Sequence, residues 1–288
     1  MAIRINVNGK LGSEHDLMLS PLDLGFVLGA SVYETIRTYN GRSFLLERHL
    51  KRLRESASSI HISLEVTNEE LSGRIEETIA AASNAESYVR IIVSGGVGAI
   101  EYRLGDGEAP HPTVVILVKP LPIVPPRLYE EGVGVAMVGV VRNHPQSVSP
   151  RIKSSSLLNN MFAMREAQSR GAEEAVMLNH RGEVAEGSLT NIFLVKDGVV
   201  RTPSVEVGIL AGITRELVLN LAKELGFETR EGILLPDELV HADEVFLTSS
   251  TKEILPVVTV DDKQIRDGRP GSVTLALLGA YREKVSRN

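Results

Sequence analysis

Between Lys119 and Arg127 the chain carries Pro120, Pro122, Pro125 and Pro126. Each proline lacks an amide donor and fixes φ, so neither a helix interior nor a central strand runs through such a stretch. It reads as a linker over residues 120–130, dividing the chain into a small part, 1–119, and a larger part, 131–288. At 288 residues and 31.3 kDa, both parts are long enough to bury a core without staples. Cysteine and tryptophan are absent, which removes disulfides, thiolate metal sites and cysteine nucleophiles; no metal ligand set is expected. A formal charge of −6 argues against nucleic acid as the main partner. The first ten residues alternate apolar and polar like a strand entering an Asn-Gly turn, unlike a secretory signal. No apolar run approaches bilayer length, so a cytoplasmic protein without a membrane partner is the expectation.

Hydrophobic periodicity supplies the elements. Residues 3–8, 31–39 and 43–46 read as strands, and Val32, Glu34, Ile36 and Thr38 share one face of the second. Leu46, Leu50, Leu53, Ala57 and Ile60 then recur at helical spacing, on a helix whose other side carries Arg48, His49, Lys51 and Arg52. A second amphipathic helix, 68–83, opens behind Thr67, and strands come next at 88–94 and 113–119. Gly95-Gly96-Val97-Gly98 invites a nucleotide-loop reading, but the sequence beyond it reads as loop and not as the helix that such a site needs. Beyond the linker, strands are expected at 133–141, 175–179, 192–196, 199–202 and 244–248. Helices are expected at 156–170, from Ile213 to Leu225, from Leu235, and at 271–284.

Four polar stretches interrupt this pattern. Lys153 lies in Arg151-Ile152-Lys153-Ser154-Ser155-Ser156, between a strand-like approach and a helix. An amine held among helix-start donors, partly desolvated, has its pKa lowered and attacks carbonyls; an ordinary surface lysine before a capped helix has the same local sequence. Ala211-Gly212-Ile213-Thr214 leads a helix whose first amides and threonine hydroxyl suit an anion, or simply cap it. Thr248-Ser249-Ser250-Thr251 clusters hydroxyls at a strand end, and Arg52 adds a cation. Glu186 sits in a polar turn between apolar strands, where a carboxylate is either exposed or holds a protonated ring nitrogen. Amine, phosphate cup and ring-nitrogen carboxylate together are the parts of a pyridoxal 5′-phosphate site.

The ordered set Glu47–Leu53, Ile152-Lys153-Ser154, Glu186–Phe193, Leu210–Arg215 and Val245–Thr251 resembles the fold-type IV, or class-IV, pyridoxal-phosphate aminotransferases. That family holds branched-chain aminotransferases, D-amino-acid aminotransferases and aminodeoxychorismate lyases. The resemblance implies an α+β chain with a small N-terminal α/β domain and a larger C-terminal domain with a β-barrel-like core. Pyridoxal 5′-phosphate would be the cofactor and a homodimer the assembly, with the cleft at the domain interface. It further implies that Lys153 binds the cofactor as a Schiff base and shuttles the substrate proton, and that Glu186 meets the pyridine nitrogen. Arg52, the amides of Ile213 and Thr214, the Thr214 hydroxyl and Ser250 would hold the phosphate, with Leu210 packed on the ring.

Within the family the pattern is mixed. Tyr88-Val89-Arg90 and Gly96-Val97-Gly98 resemble branched-chain enzymes and would give Arg90 a substrate carboxylate, yet Leu28 and Leu158 stand where those enzymes place tyrosines. Tyr33 and Ser249-Ser250-Thr251 are closer to D-amino-acid aminotransferases, whose Arg-x-His carboxylate trap is missing; Arg103 is the arginine nearest to that place. Tyr33, Arg90, Arg103 and Thr251 are thus the substrate-side candidates. Transamination between an apolar or branched-chain L-amino acid and 2-oxoglutarate, by a ping-pong route, is the favoured expectation. D-amino-acid transamination and a lyase reaction releasing pyruvate are the alternatives.

Overall fold

In a computed structural model of the chain, residues 2–98 and 111–287 are described, and the chain divides into two compact units. One runs to Pro122 and takes back Ile152–Ser156; the other holds Ile123–Arg151 and Leu157–Arg287.

The first unit starts with β1 (Arg4–Val7), which turns through Asn8 and Gly9, both at positive φ, into β2 (Lys10–Gly12). A short helix, α1 (Leu24–Val27), precedes β3 (Ser31–Tyr39), and Asn40-Gly41 turns the chain into β4 (Arg42–Ser43). Helices α2 (Leu46–Ser59) and α3 (Asn68–Ala82) follow, then β5 (Ser87–Ser94) and β6 (Thr113–Pro120). Among the described residues these strands form an antiparallel sheet in the order β2-β1-β6-β5-β3-β4. Strand alternation sends Val32, Ile36, Val89, Ile91, Ile116 and Val118 into a core completed by Leu50 and Leu53 of α2 and Leu71 and Ile75 of α3. The strand expected at 43–46 ends at Ser43, because Leu45 takes a left-handed φ of 54° and the helix starts at once.

Residues 152–156 complete this sheet. Ser154 bridges Val32 in antiparallel fashion, the Tyr33 amide donates to the Lys153 carbonyl at 2.9 Å, and the Ser155 amide donates to the Ser31 carbonyl at 2.9 Å. Ile152 packs against the core beneath. The larger part therefore does not run unbroken from 131 to 288: the edge of β3 needs backbone partners, and this segment supplies them. The proline stretch also contains a helix, α4 (Pro126–Glu130), since proline is tolerated in a first helical turn.

The second unit continues with β7 (Val133–Met137), shorter than the expected 133–141, then α5 (Leu158–Ser169), β8 (Glu174–Leu178) and β9 (Val184–Gly187). Next come β10 (Asn191–Lys196), β11 (Val199–Pro203), α6 (Ile213–Glu224), β12 (Thr229–Gly232) and α7 (Pro236–Val240). The unit ends with β13 (Glu244–Ser249), β14 (Glu253–Val260), β15 (Lys263–Gln264) and α8 (Ser272–Ser286). Among the described residues its sheet runs β12-β11-β10-β13-β14-β7-β8-β9, with β15 on β14. On the central pair, Ile192, Leu194, Val245 and Leu247 enter one core cluster, while the intervening Phe193 and Phe246 stack at 4.8 Å. No helix among the described residues is long and apolar enough to cross a membrane.

Candidate active site

In the first unit the lysine segment is fixed through its backbone. Besides the two bonds to β3, the Lys153 amide donates to the Ser56 hydroxyl of α2 at 3.2 Å. Residues opposite each other on neighbouring strands share a face, so the Lys153 side chain meets Tyr33, with Nζ 4.7 Å from the ring centroid. Arg90, two residues from the cross-strand partner of Tyr33, lays its guanidinium 3.9 Å from the same ring. One buried tyrosine thus receives two cations, an arrangement favoured by the negative face of the ring. Burial pushes the Tyr33 phenol up, against the opposing Arg90 charge. Arg52 is clamped on the opposite side of β3's alternation: its Nε donates to Glu34 Oε1 at 2.6 Å and its Nη2 to Oε2 at 2.8 Å. His49 Nδ1 lies 2.7 Å from the same Oε2.

Burial alone would raise the Glu34 carboxyl, but the Arg52 charge and the bonds from Arg52 and His49 reverse this and hold it down to about 2. Burial pushes His49 down despite Glu34. The imidazole is therefore neutral and, since a carboxylate only accepts, Nδ1 carries the proton. Glu34, His49 and Ser56 received no role from the sequence. Glu34 was visible as an acid in register with Val32 and Ile36 on an apolar strand face; the other two carried no signal apart from their helical spacing with Arg52.

In the second unit Glu186 is not in a turn. It lies on β9, paired with Met177, and is 5% exposed. Its Oε1 accepts from Arg142 Nε at 2.7 Å; its Oε2 accepts from the Leu210 amide at 3.0 Å and Asn191 Nδ2 at 3.2 Å. Asn191 Nδ2 also donates to the Leu210 carbonyl at 3.0 Å. Asn191 thereby ties Glu186 to the segment that starts α6. Gly212 passes so close that a Cβ there would stand 1.9 Å from Asn191 Oδ1. As N-cap of α6, Gly212 adds no side-chain acceptor for the first amides, and Ile213 and the Thr214 side chain are buried behind it. Ser250 and Thr251, both half-buried, form the turn from β13 to β14, while Thr248 pairs with Asn191 across the sheet. Arg142 and Asn191 escaped the sequence reading because their value depends on contacts made only after folding.

The candidates thus form two sets, one per unit: Tyr33, Arg52, Arg90 and Lys153, and then Glu186, Leu210, Ile213, Thr214, Ser250 and Thr251. Arg103 lies outside the described residues. As a donor set they suit pyridoxal phosphate. A primary amine suits an aldehyde, an oriented guanidinium and an uncapped helix start suit a phosphate, and a carboxylate anchored by three donors suits a protonated ring nitrogen.

The family model for amino-transferase class IV matches residues 31–260, and the chain belongs to that family. It is a pyridoxal-phosphate-dependent aminotransferase of fold type IV. The chain is 37% identical to a putative branched-chain-amino-acid aminotransferase of Methanocaldococcus jannaschii, over 98% of this chain and 96% of that protein. It is 32% identical to the aminodeoxychorismate lyase of Bacillus subtilis over 98% and 94%. With the D-alanine aminotransferase of Bacillus licheniformis the identity is 33% over 94% and 93%. Among solved structures, the T.th. branched-chain amino acid aminotransferase with pyridoxamine 5′-phosphate superposes at a TM-score of 0.94 and 30% identity, covering 100% of this chain and 95% of that one.

Proposed function

We propose that the chain moves the amino group of an apolar, branched-chain L-amino acid to a 2-oxo acid such as 2-oxoglutarate, in two half-reactions of ping-pong type. When bound, pyridoxal phosphate supplies an aldehyde carbon that takes up the amino group and a ring that accepts electrons from the substrate Cα. The protein's part is positioning and proton transfer. Lys153 Nζ would take the proton from the substrate Cα and deliver it to the former aldehyde carbon of the cofactor, which keeps the amino group when the 2-oxo acid leaves. Glu186 holds the ring nitrogen's proton in place. Arg52, the amides of Ile213 and Thr214, the Thr214 hydroxyl and Ser250 bind the phosphate, and Leu210 packs on the ring. Tyr33, Arg90, Arg103 and Thr251 receive the substrate, with Arg90 for a distal carboxylate. A homodimer is part of the same reading, supported by the exposure of Met18 at 91% and Phe26 at 80%, and so is a cytoplasmic location.

The observation that carries the assignment of the lysine is its three-point backbone anchorage to Tyr33, Ser31 and Ser56 through residues 153 and 155, which a surface lysine has no need of. The test is spectral. Holoenzyme is mixed separately with L-leucine and D-alanine, and loss of the visible band of the bound cofactor is followed. Rapid loss with L-leucine alone supports the reading; loss with D-alanine alone overturns its substrate. Lys153→Ala is expected to lack that band and all turnover, and an unchanged spectrum would move the role to another lysine. A second reading, D-amino-acid transamination, is favoured by Arg90 lying over the Tyr33 ring, where its guanidinium could receive a small substrate's carboxylate. Lyase chemistry separates from both readings by release of pyruvate without an acceptor.

A further inference from the structure

Glu34 stands in a register of β3 that packs with Val32 and Ile36 under α2, and none of its surface is exposed. An ionised carboxylate there costs several kcal/mol unless paired, and an aliphatic residue would fill the space at no such cost. Its two oxygens are instead taken up by groups one helical turn apart on α2, Arg52 through Nε and Nη2 and His49 through Nδ1. A guanidinium is planar, so a bond from Nε and another from Nη2 to one carboxylate fix both its plane and its rotation. Arginine on a helix otherwise loses much rotamer freedom when it captures a ligand.

We propose that Glu34 is a positioning residue for cofactor capture: it holds Arg52 in one orientation before the phosphate arrives, with His49 Nδ1 completing its coordination. This rests on the reading of Arg52 as a phosphate ligand. Pre-orientation lowers the ordering cost of binding and acts on the phosphate end alone.

The test compares pyridoxal 5′-phosphate with pyridoxal, which has the same aldehyde and ring nitrogen but no phosphate. The full-length protein is stripped of cofactor and titrated with each, reading the visible band. Glu34→Gln keeps the shape and removes the charge; its Kd for pyridoxal 5′-phosphate is expected to rise about tenfold or more, while that for pyridoxal stays unchanged. Glu34→Asp, which keeps the charge but draws the carboxylate back, is expected to show the same selective loss and carries the test if the glutamine variant does not fold. Equal weakening of both aldehydes would make Glu34 a packing residue, and no change in either would also overturn the proposal. Arg52→Gln is the reference. If it leaves the ratio of the two constants unchanged, the phosphate reading itself falls; if it lowers the preference while the Glu34 variants do not, only the positioning role falls.

Discussion

Asn191 joins three pieces of chain through one amide group: β10, which carries it, Glu186 on β9, and the Leu210 carbonyl ahead of α6. Gly212 is the consequence, because any side chain there meets Asn191 Oδ1. Gly212→Ala is therefore expected to push Asn191 off Glu186 and to lower stability by about 1–3 kcal/mol in a urea titration. An alanine variant as stable as the parent would mean that Asn191 yields without consequence. Arg142 is a second case. Its guanidinium and the Glu186 carboxylate are both largely buried, with side chains 10% and 6% exposed. Arg142→Met leaves a buried carboxylate short of its cation, at a cost of about 3 kcal/mol, and cofactor should bind more weakly. Equal stability of Arg142→Met and the parent would show that Asn191 and Leu210 suffice.

At the scale of elements, α2 couples stability to pH. Glu34 sits at about 2 in the folded protein against about 4.3 for a free side chain, so its contribution is present above the free value and lost as pH falls toward 2. His49 is pushed below its usual 6.5, so under that pH the unfolded chain binds a proton that the folded one refuses, and stability drops as pH falls. Between pH 7 and 5, above the range in which a free carboxyl titrates, the histidine sets the direction of the change. His49→Asn keeps a donor for Glu34 but removes the titration; urea midpoints measured at pH 7, 6 and 5 should fall less in the variant. Parallel curves would contradict a neutral buried His49. The α2 stripe was legible from its apolar spacing, as were α3 behind Thr67, α6 and the neighbouring strands β10 and β11. Lys153 and the glycine-led start of α6 stood out because short polar runs broke an apolar pattern. β9 was not legible: Val184-Ala185-Glu186-Gly187 is too short and too polar to read as a strand, and only pairing with β8 makes it one. Glu34 was seen but not understood, since its partners come from a helix fifteen or more residues away.

For the molecule as a whole, the exposed apolar residues near the start of the first unit predict association. Sedimentation equilibrium is expected to return twice the chain mass of 31.3 kDa, and Phe26→Asp with Met18→Asp to shift it toward one. A monomeric parent would remove the dimer from the proposed function. The first unit is also not a contiguous length of chain. A fragment ending at Pro122 lacks residues 152–156 and leaves part of the β3 edge without its amide and carbonyl partners, a template for pairing with other chains. Such a fragment is expected to aggregate, and a peptide spanning 150–157 to slow that aggregation. During synthesis the same gap is one of time. The sheet waits, open on one side, while about thirty further residues are added, a delay of a few seconds at ordinary elongation rates. The segment that carries Lys153 is thus the last to join its sheet, and a nascent chain is most exposed to mispairing just before that segment arrives.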